Sequence, residues 1–374
     1  MSSIICPSCG AWLPASAVFC GTCGARLQPA SAGEPAAASA PLKRGVSRRV
    51  ALIGGGVAGL ALVGGGGYWL WRRLFPPPPP QGTTLFVHRG QQGFVNGVAW
   101  SPDGTRIATA GYNHTVQVWD AVDGGHLLTY GNHTSVVYAA AWSPNGKRIA
   151  SCSLDGTVQV WDPADQASPF IYGGHTATVT AVAWSPDSKR VASGSYDNTV
   201  RVWDAADGGH PLTYRGHESS VFGVAWSPDG KRIASCGDDY SVQVWDAVDA
   251  RHVFRSTSHS NRVNGVAWSP DSKRVASASA DKTVQVWNAA DGSRPFTYSD
   301  HADAVNGVAW SPDGGHIVSA SDDATVQVWD ASTGGHRFTY RGHTDKVEAV
   351  AWSPTNGQIA SGGEDDTTRV WQGI

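Results

Sequence analysis

The sequence contains few of the features on which catalysis or nucleic-acid binding depends. Only 16% of its 374 residues are charged, and residues 81–374 carry 21 Lys and Arg against 30 Asp and Glu. Because phosphate binding needs a basic surface, this balance argues against nucleic acid as a partner of that region. No nucleophile elbow, phosphate-binding loop or isolated carboxylate pair stands out. We therefore predict that the protein is not an enzyme.

The dominant feature of the sequence is a repeat of 42 residues. The run Ala-Trp-Ser-Pro occurs seven times, with its tryptophan at Trp100, Trp142, Trp184, Trp226, Trp268, Trp310 and Trp352. A second tryptophan keeps the same interval, at Trp119, Trp161, Trp203, Trp245, Trp287, Trp329 and Trp371. A unit of this size cannot bury its own apolar faces, so the copies are expected to stack against one another.

Each repeat contains the pattern of a small antiparallel sheet. In the unit at residues 174–204, apolar residues alternate over 179–184, 190–193 and 199–203, which predicts three strands. Ser-Pro-Asp-Gly or Ser-Pro-Asp-Ser predicts the first turn, and an Asp-centred turn joins the second strand to the third. Residues 211–214 are typical of a fourth strand.

This repeat resembles that of the WD-repeat β-propeller family, over residues 83–374. The resemblance implies an all-β fold, a closed propeller of seven blades with four strands each. The strand expected near residues 84–88 should join the last blade, beside residues 367–371. That overlap would close the ring and cover an open sheet edge. We expect the propeller to be monomeric.

The resemblance also implies a structural tetrad in each blade. In one blade it consists of His175, Asp197, Ser193 and Trp203. Histidines recur at His133, His217, His259, His301 and His343, with the aspartates Asp155, Asp239, Asp281, Asp323 and Asp365. This regular recurrence indicates a scaffold role instead of catalysis. Blade one has Gln91 for the histidine and Asn113 for the aspartate, so we expect a hydrogen bond without charge there.

Two positions vary while the scaffold stays constant. Four residues before the first tryptophan stand Asn96, Tyr138, Thr180, Phe222, Asn264, Asn306 and Glu348. Just before the turn aspartate stand Tyr112, Leu154, Tyr196, Asp238, Ala280, Asp322 and Glu364. In related propellers these positions line the top face, around the channel. The predicted partner site has an aromatic half and an acidic half, formed by Tyr112, Tyr138, Leu154, Tyr196, Phe222, Asp238, Asp322, Glu348 and Glu364. The alternative is drift among solvent-facing positions.

The six cysteines fall into two groups. Cys152 and Cys236 share one repeat position with alanines and glycines, so we expect small buried residues that form no disulfide. Near the N-terminus, two Cys-x-x-Cys-Gly motifs place four thiolates at the spacing of a structural zinc site, formed by Cys6, Cys9, Cys20 and Cys23. Residues 1–28 resemble the short zinc ribbons of many prokaryotic membrane proteins. Four thiolates leave no open position for catalysis.

The segment between the ribbon and the repeats predicts a membrane anchor. Residues 29–49 form a linker that ends in a basic flank, and residues 50–71 lack charge over 22 positions, long enough for a transmembrane helix or signal-anchor. Arg48 and Arg49 also fit a twin-arginine export motif, and the two readings are compatible. The basic flank predicts a cytoplasmic N-terminus and an extracytoplasmic propeller. Residues 72–82 are a spacer rich in Arg and Pro.

Together these features predict a single-pass membrane scaffold that binds a protein or peptide through the propeller. One alternative is a sensor, in which a ligand outside the membrane binds the propeller and the ribbon relays that binding inside. Another is a regulator whose zinc ribbon binds nucleic acid.

Overall fold

The fold was analysed in a computed structural model. It describes residues 79–166, 168–251, 253–293 and 296–374, together with two short strands near the N-terminus, Ser3–Ile5 and Trp12–Pro14. Contacts divide the chain into two units, Met1–Pro77 and Pro78–Ile374. In the first unit, the two described strands pair antiparallel, Ile4 opposite Leu13. The four cysteines of the predicted zinc site and the predicted membrane segment, residues 50–71, lie outside the described residues.

The second unit is a propeller of seven four-stranded antiparallel sheets. The first strand of each blade runs beside the central channel. These first strands are Val95–Trp100, Val137–Trp142, Val179–Trp184, Val221–Trp226, Val263–Trp268, Val305–Trp310 and Val347–Trp352. The second strands are Arg106–Gly111, Ile149–Ser153, Arg190–Ser195, Arg232–Gly237, Arg274–Ser279, His316–Ser321 and Gln358–Gly363. The predicted seven-bladed all-β fold is thus confirmed.

The outer half of each blade consists of a third and a fourth strand. The third strands are Val116–Asp120, Val158–Trp161, Val200–Asp204, Val242–Asp246, Val284–Asn288, Val326–Asp330 and Thr368–Gln372. The fourth strands of blades one to six are Leu128–Tyr130, Phe170–Tyr172, Leu212–Tyr214, Val253–Ser256, Phe296–Tyr298 and His336–Tyr340. The first turn uses the expected chemistry: in blade one, Gly104 has a φ of 70°, which favours glycine, and its N–H donates to the Ser101 carbonyl at 2.9 Å.

The ring is closed by a strand from the other end of the repeat region. Thr84–His88 forms the fourth strand of blade seven and pairs antiparallel with Thr368–Gln372. Thr84 lies opposite Trp371, and His88 lies opposite Thr368. The predicted overlap is confirmed, and it covers the edge that the third strand of blade seven would otherwise expose.

The hydrophobic core lies between the blades. One cluster combines Cys152 and Val158 of blade two with Val179, Trp184 and Trp203 of blade three, all buried. Equivalent clusters occupy the other interfaces. Because each cluster needs two neighbouring blades, stability is shared around the ring.

Aromatic stacking joins the outer strand to the next blade at six of the seven interfaces. The Tyr130 ring stacks on Trp161 with centroids 4.1 Å apart, and its hydroxyl donates to Gln159 Oε1 at 2.6 Å. Similar stacks pair Tyr172 with Trp203, Tyr214 with Trp245, Tyr298 with Trp329 and Tyr340 with Trp371. On the closing strand, His88 takes the tyrosine's place and stacks on Trp119 at 4.7 Å. The closing strand therefore continues the interblade stacking between blades seven and one.

Candidate functional site at the channel mouth

A β-bulge at the same place in every blade forms the mouth of the channel. In blade one, Val95 lies opposite Gly111 and Gly97 lies opposite Ala110, so Asn96 is an extra residue in the ladder. The same register shift occurs in the other six blades. A bulge redirects the side chain of its extra residue. We call the seven extra residues the channel ring: Asn96, Tyr138, Thr180, Phe222, Asn264, Asn306 and Glu348.

The channel ring lines one cavity. All seven of its members border a space of about 440 Å³, and Tyr196 and Arg262 border it as well. The second variable position lies at the same end of each blade: the Tyr112 N–H donates to the Phe94 carbonyl at 2.9 Å, beside the bulge. Of the predicted residues at this second position, only Tyr196 borders the cavity. The others stand around it on what we call the rim: Tyr112, Leu154, Asp238, Asp322 and Glu364.

Four members of the channel ring hydrogen-bond to the next blade. Asn96 Nδ2 donates to the Val137 carbonyl at 3.0 Å, and Thr180 Oγ1 donates to the Val221 carbonyl at 2.6 Å. Asn264 and Asn306 make the corresponding bonds. Tyr138, Phe222 and Glu348 make no such bond to a carbonyl group of the next blade within the part of the chain that the structure describes, although the Tyr138 hydroxyl interacts with Tyr196 of blade three. These three residues are therefore the channel-ring members whose side chains the scaffold does not use in this way.

One side of the mouth is aromatic. The Tyr196 and Phe222 rings meet edge to face with centroids 5.5 Å apart. The Arg262 guanidinium lies 5.5 Å from the Phe222 ring centre, a cation–π contact that sequence reasoning missed. Burial and the neighbouring Tyr196 raise the pKa of Tyr138, so its hydroxyl stays neutral at physiological pH. On the rim, Tyr112 is 56% exposed and packs against Phe94, a second residue that the sequence analysis missed.

The opposite side of the mouth is acidic. Asn306 Nδ2 donates to Asp322 Oδ1 at 2.7 Å. The ammonium of Lys346 lies 3.9 Å from Asp322 Oδ2 and 3.8 Å from Glu364 Oε1, and these two carboxylates raise its pKa. Burial, with the charges of Asp322 and Glu364, raises the pKa of Glu348 to about 7. The predicted acidic half thus includes a lysine, which a comparison of the residues two positions before the channel ring would have revealed.

Asp238 and Leu154 are two exposed residues of the rim. Asp238 is exposed and accepts a hydrogen bond from Ser219 Oγ at 3.3 Å, whereas Leu154 is 43% exposed. Neither borders the cavity. Their positions fit the edge of a contact surface better than its centre.

The predicted tetrad residues form one buried chain of hydrogen bonds. Trp203 Nε1 can only donate, and it lies 3.3 Å from Ser193 Oγ. Ser193 Oγ lies 2.8 Å from His175 Nε2, and His175 Nδ1 lies 2.9 Å from Asp197 Oδ2. A neutral His175 with its proton on Nδ1 satisfies every partner, in agreement with the burial that lowers its pKa.

Asp197 is the charged end of that chain. Burial opposes its ionisation, but hydrogen bonds from Thr199 and His175 outweigh this effect and lower the pKa of Asp197 to about 2. The His175 side chain is fully shielded from solvent and the Asp197 side chain is 7% exposed. A substrate has no access to this pair, so its geometry supports a scaffold role. Five further blades repeat the histidine–aspartate contact at 2.8 to 3.0 Å.

Comparison with known families identifies the repeats. The family model described as "WD domain, G-beta repeat" matches seven times, at residues 82–120, 124–162, 167–204, 209–246, 251–288, 292–330 and 334–372. The chain belongs to the WD-repeat family. No individual curated protein matches it. WD-repeat propellers generally bind protein partners and are generally non-catalytic scaffolds.

The two cysteines of this WD-repeat propeller are structural. Cys152 and Cys236 are free and fully buried. Burial raises the pKa of the Cys152 thiol to about 12 and that of Cys236 as well, so neither is a nucleophile at neutral pH. Among the described residues, no group of three or more His, Cys, Asp or Glu side chains is arranged to hold a metal ion. The same residues include no helix long and apolar enough to cross a bilayer.

Proposed function

We propose that this protein is a non-catalytic scaffold that binds a protein or peptide at the mouth of its propeller channel. The observation that carries the proposal is the difference between the seven bulge residues in what their side chains contact. Four channel-ring members bond to the next blade, whereas Tyr138, Phe222 and Glu348 point into the cavity without that function. Two aromatic rings and a carboxylate that the scaffold leaves available provide the chemistry of a contact surface.

Site-specific photo-cross-linking tests the location of the surface. The photoreactive residue p-benzoylphenylalanine would replace Tyr138 in the full chain, expressed in its own cells. Ile171 is the matched control site, because it is 53% exposed but lies on the outer strand of blade two. We expect a discrete cross-linked species from position 138 that position 171 does not form. The same products from both positions, or none from position 138, would contradict the proposal.

Alanine substitution tests which side chains hold the partner. Replacing Tyr112, Tyr138, Tyr196 and Phe222 together should abolish co-purification of the cross-linked partner. Of these four residues, Tyr138 packs as a partly buried residue against the cluster between blades two and three, and none belongs to the buried part of that cluster. The propeller should therefore stay folded, with a small decrease in melting temperature. Unchanged co-purification would show that these aromatic residues are not the binding surface.

We also propose that residues 50–71 anchor the propeller outside the membrane, with the zinc ribbon inside. The support is the uncharged run and the basic flank before it. Val122 is 81% exposed in a propeller turn, and Cys152 and Cys236 are buried. A Val122→Cys variant should therefore react with a membrane-impermeant thiol reagent on intact cells. Labelling only after lysis would place the propeller in the cytoplasm and overturn this topology.

The zinc proposal has its own test. Four cysteinates hold structural zinc without an open coordination position. The purified full chain should contain one zinc ion per molecule by elemental analysis, and the Cys6→Ser, Cys9→Ser double variant should lose it. An equal zinc content in the two proteins would contradict a ribbon site.

A further inference from the structure

Glu348 is the only charged member of the channel ring. The charged groups that face it are Asp322 from blade six with Lys346 and Glu364 from blade seven. Lys346 is in turn influenced by Asp345, whereas blade one contributes the neutral Asn96. The Glu348 carboxylate therefore lies in a negative environment at the border of the cavity.

The cation nearest to Glu348 is engaged elsewhere. The Lys346 ammonium lies within 4 Å of both Asp322 and Glu364. Glu348 has no ion pair among the described residues, and its carboxyl group contacts that of Glu364, a group of the same charge. A buried carboxylate without a cation is unfavourable, so a cation that enters the cavity would gain a full charge–charge contact there.

The aromatic side of the mouth is already occupied by a cation. Arg262 covers the Phe222 ring, with its guanidinium carbon 5.5 Å from the ring centre. A second positive group would be repelled there, whereas an apolar group could pack on Tyr138 and Tyr196. The two sides of the mouth thus favour different parts of a partner.

We propose that the channel mouth binds a segment of a protein partner that places a lysine or arginine on Glu348 and an adjacent apolar side chain on Tyr138 and Tyr196. This inference rests on the proposed function and adds the chemistry of the partner. Charge complementarity selects the basic residue, because Glu348 borders the cavity without an ion pair among the described residues, whereas Arg262, the cation that borders it, lies over the Phe222 ring. The aromatic rings provide the apolar contact.

Binding of such a segment is coupled to the ionisation of Glu348. The pKa of about 7 means that half of the free protein carries the carboxylate at that pH. Only the ionised form offers a charge to the cation, and lysine and arginine stay protonated throughout this range. The affinity should therefore increase about tenfold from pH 6 to pH 8, because the fraction of ionised protein increases by that factor.

A panel of acetylated peptide amides tests the inference on the full chain. Each peptide carries one arginine two, three or four residues from a phenylalanine in an alanine background. A twin of each peptide has citrulline, the neutral isostere of arginine. Affinity is measured by isothermal titration at pH 6 and pH 8. We expect at least one arginine peptide to bind about tenfold more tightly than its twin at pH 8, and this advantage to decrease at pH 6.

Two variants test whether the arginine of the peptide binds to Glu348. Glu348→Gln should remove both the preference for arginine and the pH dependence. An amide is compatible with this position, because asparagine occupies it in blades one, five and six. Asp103→Asn is the control, because it removes one carboxylate from a turn on the face of the propeller opposite the channel mouth. Asparagine is compatible with this turn, since Asn145 occupies the equivalent position in blade two. The control should bind as the unchanged protein does.

The possible results separate the two proposals. If no arginine peptide binds better than its citrulline twin, or if Glu348→Gln keeps the preference, the cation inference is wrong. Cross-linking from position 138 would still support a partner at the mouth in that case. If cross-linking from position 138 fails, the proposed function is wrong as well.

Discussion

Gln91 donates a hydrogen bond of 2.8 Å from Nε2 to Oδ1 of Asn113. The pair replaces the histidine and aspartate of the other six blades and keeps their geometry without a charge. In the same blade, Trp119 Nε1 has no hydrogen-bond partner among the described residues, and the same is true of Trp287 in blade five, where the His259–Asp281 pair is intact. In blade three, the equivalent Trp203 donates to Ser193. Blade one therefore keeps only part of the tetrad.

Loss of the aspartate should destabilise the protein more than loss of its neutral counterpart. Asp197 accepts hydrogen bonds from His175, Thr176 and Thr199. We expect Asp197→Ala to reduce the free energy of unfolding by about 3 kcal/mol, because it leaves buried donors unpaired. Asn113→Ala should reduce it by about 1 to 2 kcal/mol. Urea denaturation at pH 7 measures both, and equal losses would contradict the distinction.

The interface between blades four and five lacks one of the aromatic stacks. Ser256 stands where five other outer strands have a tyrosine and the closing strand has His88, although Phe254 still packs on Trp287 with centroids 5.1 Å apart. We expect Ser256→Tyr to stabilise the protein by about 1 kcal/mol, because a ring would stack on Trp287 as Tyr214 does on Trp245.

Two comparisons test this expectation by thermal unfolding. Ser256→Phe adds the ring without the hydroxyl, so any further gain with tyrosine measures a hydrogen bond to Gln285, equivalent to the bond from Tyr214 to Gln243. A lower melting temperature for both variants would mean that this interface has no space for the ring.

The stability contribution of Glu348 should depend on pH. Its pKa is raised from 4.5 to about 7 in the folded protein, so its protonated form is favoured by folding and its ionised form is disfavoured. The penalty is absent below pH 4.5, develops between pH 4.5 and 7, and is complete above pH 7. Glu348→Gln should therefore stabilise the protein at pH 8, by on the order of 2 kcal/mol, and have little effect at pH 4.5.

Melting temperatures of the variant and the unchanged protein across this pH range provide the measurement. Asp103→Asn is again the control, since its carboxylate lies in a turn away from the channel. A difference between Glu348→Gln and the unchanged protein that is constant with pH would show that the carboxylate is not perturbed by its surroundings.

The repeat made most of the propeller predictable from the sequence. Two tryptophans per unit, alternating apolar residues and Ser-Pro-Asp turns predicted the blades, and the strand at residues 84–88 was correctly expected to close the ring. The resemblance also named His175, Asp197, Ser193 and Trp203, which the structure brings together. Such contacts recur at fixed spacing, so one pattern describes them all.

The details of the channel mouth were less predictable, because they depend on register and on side chains from different blades. The sequence marks Asn96 as variable but does not show that it is the extra residue of a bulge. Its bond to the Val137 carbonyl is likewise not apparent from spacing. The contacts of Lys346 with Asp322 and of Arg262 with Phe222 each cross from one blade to another. The zinc and membrane assignments stay predictions.

The bulges place residues that can be substituted beside residues that the strand pairing of the ring requires. Each channel-ring residue is the one position of its first strand that lies outside the ladder, so its side chain contributes little to the pairing of its own blade. Where it makes no hydrogen bond to a carbonyl group of the next blade, as at Tyr138, Phe222 and Glu348, it can be exchanged without a new fold. Selectivity for a partner can therefore evolve one residue at a time, on a frame whose folding is left unchanged.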